Sequence, residues 1–145
     1  MTETVASEID ISASAGRVLD VLKDFESYPK WARAMKQAKI LERDDEGRGS
    51  RVEFHVTPGL LPEMWYVLAY TYTDAAIAWS YVEGSPLKDI RGSYTVEPNG
   101  EESHVVYHLA VEPGIPLPGF VKARAAREIT RIALQELKKR VEVGR

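Results

Sequence analysis

Cysteine is missing from this chain, so it forms no disulfide and uses no thiolate as nucleophile or metal ligand. No apolar run approaches the roughly 20 residues that a membrane-spanning helix needs. The start, Met1-Thr-Glu-Thr-Val-Ala-Ser-Glu, has neither the basic region nor the apolar stretch of a secretory signal. These absences set the expectation of a cytoplasmic protein. Repeats, low-complexity tracts and linker-like stretches are lacking too. The formal net charge is -3, which argues against a molecule built to attract nucleic acid. Histidine is scarce: His55, His104 and His108. His104 and His108, four apart on a strand, stand roughly 13 Å from each other, too far to share a metal ion. HExxH, CxxC and carboxylate clusters of ligand spacing do not occur, so neither metal nor cofactor is expected. Ser80, Ser85 and Ser93 lie in no nucleophile-elbow pattern, and Gly47-Arg48-Gly49 lacks the rest of a phosphate loop.

What is present suits one domain over residues 1–145, because 44% hydrophobic and 28% charged residues are ordinary for a globular chain of this length. Its last stretch organises the rest. After Pro118-Gly119, roughly 25 residues run without proline and with no glycine before Gly144. Val121, Ala125, Ile129, Ile132, Ala133, Leu137 and Val141 recur at three- and four-residue steps. That spacing predicts one long amphipathic helix with this stripe buried against a sheet. The basic residues on its other faces alternate with Glu128, Glu136 and Glu142, and no aromatic platform accompanies them. They read as a solvated face rather than a phosphate-binding one.

Upstream the period is mostly two. Val5, Ser7, Ile9 and Ile11 predict a first strand of mixed polarity. Ser12 and Ser14 offer caps for a short helix that buries Val18, Leu19 and Leu22. Ser27 offers a cap for a second short helical turn, with Pro29 in its first turn. Six hairpin-linked strands follow, punctuated at Asp44–Gly47, Asp74-Ala75 and Pro98–Gly100. A two-residue turn at Asp74-Ala75 sets Tyr70 opposite Trp79 and Leu68 opposite Tyr81. Helices and strands are segregated, so the class is α+β: a seven-stranded curved antiparallel sheet wrapped around a long C-terminal helix, with two short helices between the first two strands. A helix laid over a curled sheet leaves a space at its widest part that side chains do not fill.

Particular residues sharpen this reading. Asp24-x-x-x-Tyr28-Pro29-x-Trp31, Ile77-x-Trp79, Gly92-Ser93-Tyr94 and Pro116-x-Pro118-Gly119-Phe120, in that element order, resemble the helix-grip fold of the START/Bet v1-like (SRPBCC) superfamily. Within it the likeness is to the bacterial polyketide cyclase/dehydrase and coenzyme Q-binding START-like proteins, and it spans essentially the whole chain. The resemblance implies a hydrophobic ligand held between sheet and long helix. It implies no single chemistry, because this fold hosts carriers, cyclases and other roles.

Tyr66, Leu68, Tyr70, Trp79, Tyr81, Tyr94 and Tyr107 are the candidate ligand-binding residues of the sheet, joined by Val121, Ala125 and Glu128 of the helix. Ordinary cores favour Leu, Ile and Val, so these tyrosines read either as core residues whose hydroxyls reach the surface or as a pocket that stacks a flat apolar ligand. Alternate connections of a meander lie at one end, which gathers Pro58–Pro62, Glu83–Lys88 and Pro113–Gly119. Their Leu60, Leu61, Leu87, Ile115 and Leu117, with Phe120, are the candidate pocket mouth. They read as a cap over the core or as a gate that ligand, membrane or partner touches. Glu128 is the lone catalytic candidate. A desolvated carboxyl there would have a raised pKa and could act as acid or base, whereas pairing with Arg124 or Arg131 is the plainer account.

The function expected is binding or transport of a hydrophobic small molecule: a lipid, a quinone or a polyketide-like compound. An aromatase/cyclase or dehydratase is the enzyme alternative, for which Glu128, Arg124 and the tyrosines supply no evident acid–base pair. A protein-interaction module using the apolar loops is the third reading. No nucleic acid is expected as a partner, transient membrane or protein contact would run through those loops, and the oligomeric state is not specified.

Overall fold

Apolar residues at every second position drive the strands together, and the computed structural model, which describes residues 4–59 and 61–143, shows how. Leu60 of the expected pocket mouth thus lies outside the described residues. The order is β1 (Thr4–Ile11), α1 (Ala15–Lys23), a 3₁₀ segment (Phe25–Lys30), β2 (Met35–Arg43), β3 (Gly49–Val56), β4 (Met64–Tyr72), β5 (Ala76–Ser85), β6 (Leu87–Asn99), β7 (Glu102–Pro113) and α2 (Gly119–Val143). The seven strands form one antiparallel sheet in the order β1-β7-β6-β5-β4-β3-β2. The chain crosses over once, carrying β1 beside β7, and otherwise meanders. This is the helix-grip arrangement.

The turn at Asp74-Ala75 sets the register as expected: Tyr70 faces Trp79 and Leu68 faces Tyr81. Beyond that point a bulge intervenes, with Val67 opposite Glu83 but Leu68 opposite Tyr81. It carries Gly84 to the position opposite Tyr66. A Cβ at Gly84 would lie 2.7 Å from that of Tyr66, so the bulge places glycine where the close approach requires it.

Ser14 caps α1 by accepting from the Arg17 backbone N–H, and Val18, Leu19 and Leu22 are buried. The second short helix differs from expectation. It is a 3₁₀ segment that begins at Phe25 after Asp24, with no side-chain cap, so Ser27 lies inside it. The buried Phe25 ring sets its start, and the Tyr28 hydroxyl anchors it by donating to the Leu22 carbonyl at 2.6 Å.

α2 packs against β1 and β7, and its buried side chains are Ala125, Ala126, Thr130, Leu134, Leu137 and Val141. The stripe is therefore rotated from the expected one. Thr130, polar and absent from that stripe, is completely buried, because its hydroxyl meets Ser7 Oγ of β1 at 2.7 Å. Ile129, Ala133 and Val121 are only half-buried and Ile132 is 42% exposed. They face away from the β1–β7 contact.

The connection expected over Glu83–Lys88 is nearly all strand: β5 ends at Ser85, β6 starts at Leu87, and Pro86 alone lies between them. Leu87 is buried within β6 rather than carried on a loop tip. The Gly114 N–H donates to the Pro86 carbonyl at 3.1 Å. That bond ties this corner to the segment before α2, so the two connections do meet at one end.

Candidate ligand-binding cavity

Because α2 covers the β1–β7 side, the concave face of β3, β4 and β6 is left to curve away from it. The gap is a cavity of about 460 Å³. Its floor is Tyr66 of β4, Ile90 and Tyr94 of β6, and Tyr107, Leu109 and Val111 of β7. One side is the segment after α1, with Tyr28, Trp31, Ala32, Ala34 and Met35; one end is Pro58, Gly59 and Leu61 with Val56 and Met64. The helix contributes Arg124, Ala125, Glu128, Ile129, Ile132, Ala133 and Glu136. An apolar wall of this kind, interrupted by a few polar groups, is the usual make-up of a small-molecule site.

Of the residues singled out in the sequence, Tyr66, Tyr94, Tyr107, Ala125 and Glu128 meet in this wall. Tyr66, Tyr94 and Tyr107 are 6%, 8% and 7% exposed, each more than nine-tenths buried. Tyr94 and Tyr107 are paired across β6 and β7, with ring centroids 4.4 Å apart. Among the described residues none of these three hydroxyls has a hydrogen-bond partner in the protein, and Trp79 Nε1 is the only fully enclosed side-chain N or O without one. The three oxygens therefore keep accessible surface, and the cavity supplies it. Burial pushes all three hydroxyls above the usual tyrosine range, so they are protonated and able to donate.

Leu68, Tyr70, Trp79, Tyr81 and Val121 are not in the wall. Trp79 lies behind it, with ring centroids 5.6 Å from both Tyr94 and Tyr107, and Tyr70 stacks behind Trp79 and against Phe25. These rings hold the floor rather than form it. Leu68 is buried in the core. Tyr81 lies just before the bulge, with its hydroxyl 3.0 Å from the Gly84 carbonyl and 2.9 Å from that of Leu87. It locks the β5–β6 corner. Val121 shares the helix face of Arg124, Glu128 and Ile132 but lies a turn nearer the start of α2, short of the cavity.

Charge is confined to the rim. Glu128 Oε2 accepts from Arg131 Nη2 at 2.6 Å, and that bond holds its carboxyl below the usual carboxylate range. The raised pKa considered for a desolvated Glu128 is not what the structure shows, because its side chain remains 43% exposed beside a guanidinium. Glu136 accepts from the Arg33 backbone N–H at 3.2 Å, joining α2 to the segment that carries Trp31. Ile132, in the same part of the wall, is exposed.

In the expected mouth, Leu61 lines the cavity. Ile115 and Leu117 instead border a separate open depression with Lys88, Glu112 and Lys122. Phe120 stands 76% exposed on the first turn of α2. Trp31, Met35, Ile129 and Ile132 are wall residues that were not singled out for the site. The pair on α2 lay within the predicted stripe, but periodicity does not separate a face that meets a sheet from one that meets a cavity. Among the described residues, no group of three or more His, Asp or Glu side chains could hold a metal ion, and no helix is long and apolar enough to cross a membrane.

Comparison with known proteins places this architecture. No curated protein has a matching sequence. A START superfamily protein from Mycobacterium smegmatis superposes with a TM-score of 0.91 at 26% identity, over 98% of this chain and 99% of that one. The Zhui aromatase/cyclase from Streptomyces sp. R1128 gives 0.84 at 16% identity, over 98% and 94% of the two chains. A STAR-related lipid transfer protein from Xanthomonas axonopodis gives 0.74 at 16% identity, over 96% and 85%. The latter two share the fold alone. The profile of one family, described as polyketide cyclase / dehydrase and lipid transport, matches residues 2–142, and the chain belongs to that family.

Proposed function

We propose that this protein binds a hydrophobic small molecule in the cavity between its sheet and α2, as a carrier. One observation carries the reading: a cavity of about 460 Å³ walled by aromatic and aliphatic side chains, with three buried tyrosine hydroxyls directed into it. Burial of apolar ligand surface would drive association at about 25 cal/mol per Å². The family description names both cyclase/dehydrase activity and lipid transport, and the wall chemistry favours the second. The carboxylates at the rim, Glu128 and Glu136, already accept hydrogen bonds from Arg131 and Arg33. An aromatase/cyclase would need a general acid or base facing the substrate, and beyond the rim only tyrosine hydroxyls are available. Native mass spectrometry of the protein as purified from cells, followed by solvent extraction, tests the reading. A stoichiometric apolar adduct is expected. A clean apo mass, with no thermal shift from quinones, fatty acids or polyaromatics, would overturn it.

A further inference from the structure

The inner end of the cavity differs chemically from its rim, and the difference narrows what it accepts. Tyr66, Tyr94 and Tyr107 are each more than nine-tenths buried. Their hydroxyls have no acceptor among the described residues, although most buried hydroxyls in proteins do. Each hydroxyl, open only to the cavity, is free to donate to a ligand oxygen placed there. Tyr94 and Tyr107 are cross-strand neighbours with rings 4.4 Å apart, and Tyr66 lines the same cavity from β4. Every charged wall residue (Arg124, Glu128, Glu136) belongs to α2, and none to the sheet floor. An ionised group carried to the floor would meet donors but no counter-charge, and its desolvation would go uncompensated.

Resting on the carrier reading above, we infer that Tyr66, Tyr94 and Tyr107 are specificity-determining residues. They select a neutral, ring-borne carbonyl or similar oxygen acceptor, bound oxygen-end inward, over hydrocarbons and over ligands with an ionised head. Aromatic faces of Tyr28, Trp31 and the three tyrosines suit a planar ring system. The protonated state of the hydroxyls agrees with this, since each then offers a donor and a carbonyl offers only lone pairs.

The test is calorimetric titration of the whole chain with three probes: 9-fluorenone, fluorene and palmitate. Fluorenone and fluorene share one ring skeleton and differ in the carbonyl oxygen. Fluorenone is expected to bind at least about 10-fold tighter than fluorene, corresponding to one to two buried hydrogen bonds, and tighter than palmitate. Tyr66→Phe, Tyr94→Phe and Tyr107→Phe should each keep the fold by circular dichroism. The set should shrink the fluorenone preference while leaving fluorene affinity within about twofold. Equal affinity for fluorenone and fluorene, a palmitate affinity above both, or a preference unchanged in all three variants would overturn the inference and leave the carrier reading standing. Failure of all three probes to bind would remove both.

Discussion

Trp79 and Gly92 face each other across β5 and β6, and the indole lies over the glycine. A Cβ at position 92 would sit 2.6 Å from Trp79 Cζ2 and even closer to the His108 carbonyl oxygen. The space a side chain would take is filled by the ring that backs Tyr94 and Tyr107. The cavity floor thus depends on a residue that does not touch the cavity.

Gly92→Ala should therefore be costly, because the β7 backbone cannot move aside as a flexible side chain would. Overpacking of this kind costs on the order of 1–3 kcal/mol, or roughly 2–4 °C of Tm per kcal/mol for a chain of this size. Thermal unfolding followed by circular dichroism reads it. An unchanged Tm would mean that the indole does not lie on Gly92.

Thr130 explains how a polar residue became the centre of the α2 contact. Its hydroxyl donates to the Arg127 carbonyl at 3.0 Å, so with that proton committed it accepts from Ser7 Oγ at 2.7 Å. Thr130→Val leaves the Ser7 hydroxyl without its acceptor and should cost about 1–2 kcal/mol. In a double-mutant cycle with Ser7→Ala, urea denaturation should show the two losses to be less than additive. Strict additivity would dismiss the pair.

Two tyrosines should respond oppositely to loss of a hydroxyl. Tyr81→Phe removes the donor shared by the Gly84 and Leu87 carbonyls and should lower stability by about 1 kcal/mol without altering ligand affinity. Tyr107→Phe removes a hydroxyl with no partner in the protein and should leave stability unchanged or slightly raised. Paired melting curves and titrations check this, and a destabilised Tyr107→Phe would show a partner for that hydroxyl within the fold.

Glu128→Gln separates a carrier from an enzyme that uses this carboxyl. The variant should retain ligand affinity, and any turnover that vanished with it would restore Glu128 as a catalytic group. Its pH signature has a definite sign. The folded pKa is lowered by the hydrogen bond from Arg131, so the pair's contribution is complete above the ordinary carboxylate value. It is lost as pH falls through the lower folded one.

His104 has the opposite sign. Its Nδ1 lies 2.7 Å from Asp10 Oδ1 and its Nε2 3.4 Å from Glu8 Oε1, and the Asp10 hydrogen bond raises its pKa above 6.5. The stability it adds is complete below pH 6.5 and fades as pH rises through the folded value. The difference in Tm between wild type and His104→Gln should shrink from pH 5.5 to pH 9. A constant difference would show that the imidazole is not charged in this site.

Much of the architecture was legible in the residues. Period-two stretches of Val, Ile and Tyr, bounded by Asp-, Gly- and Pro-rich turns, define the strands whatever surrounds them. The Asp74-Ala75 turn was enough to pair Tyr70 with Trp79. The Pro118-Gly119 punctuation marked the start of α2 to within one residue, Gly119 itself being the first of the helix, because a helix without internal breakers runs until its ends.

Tertiary structure decided which of those faces meet. Ile129 and Ile132 are more apolar than Thr130, yet Thr130 is the residue buried on β1, because Ser7 supplies its partner from a strand more than 100 positions away in sequence. The isoleucines are left to the cavity. Tyr81 keeps its expected partner Leu68, yet it leaves the wall for the β5–β6 corner, because the bulge that follows it brings carbonyls of Gly84 and Leu87 within reach of its hydroxyl. Sequence by itself determined the elements, their order and the aromatic supply. Long-range hydrogen bonds and the packing of rings between strands chose which aromatics became floor and which became support.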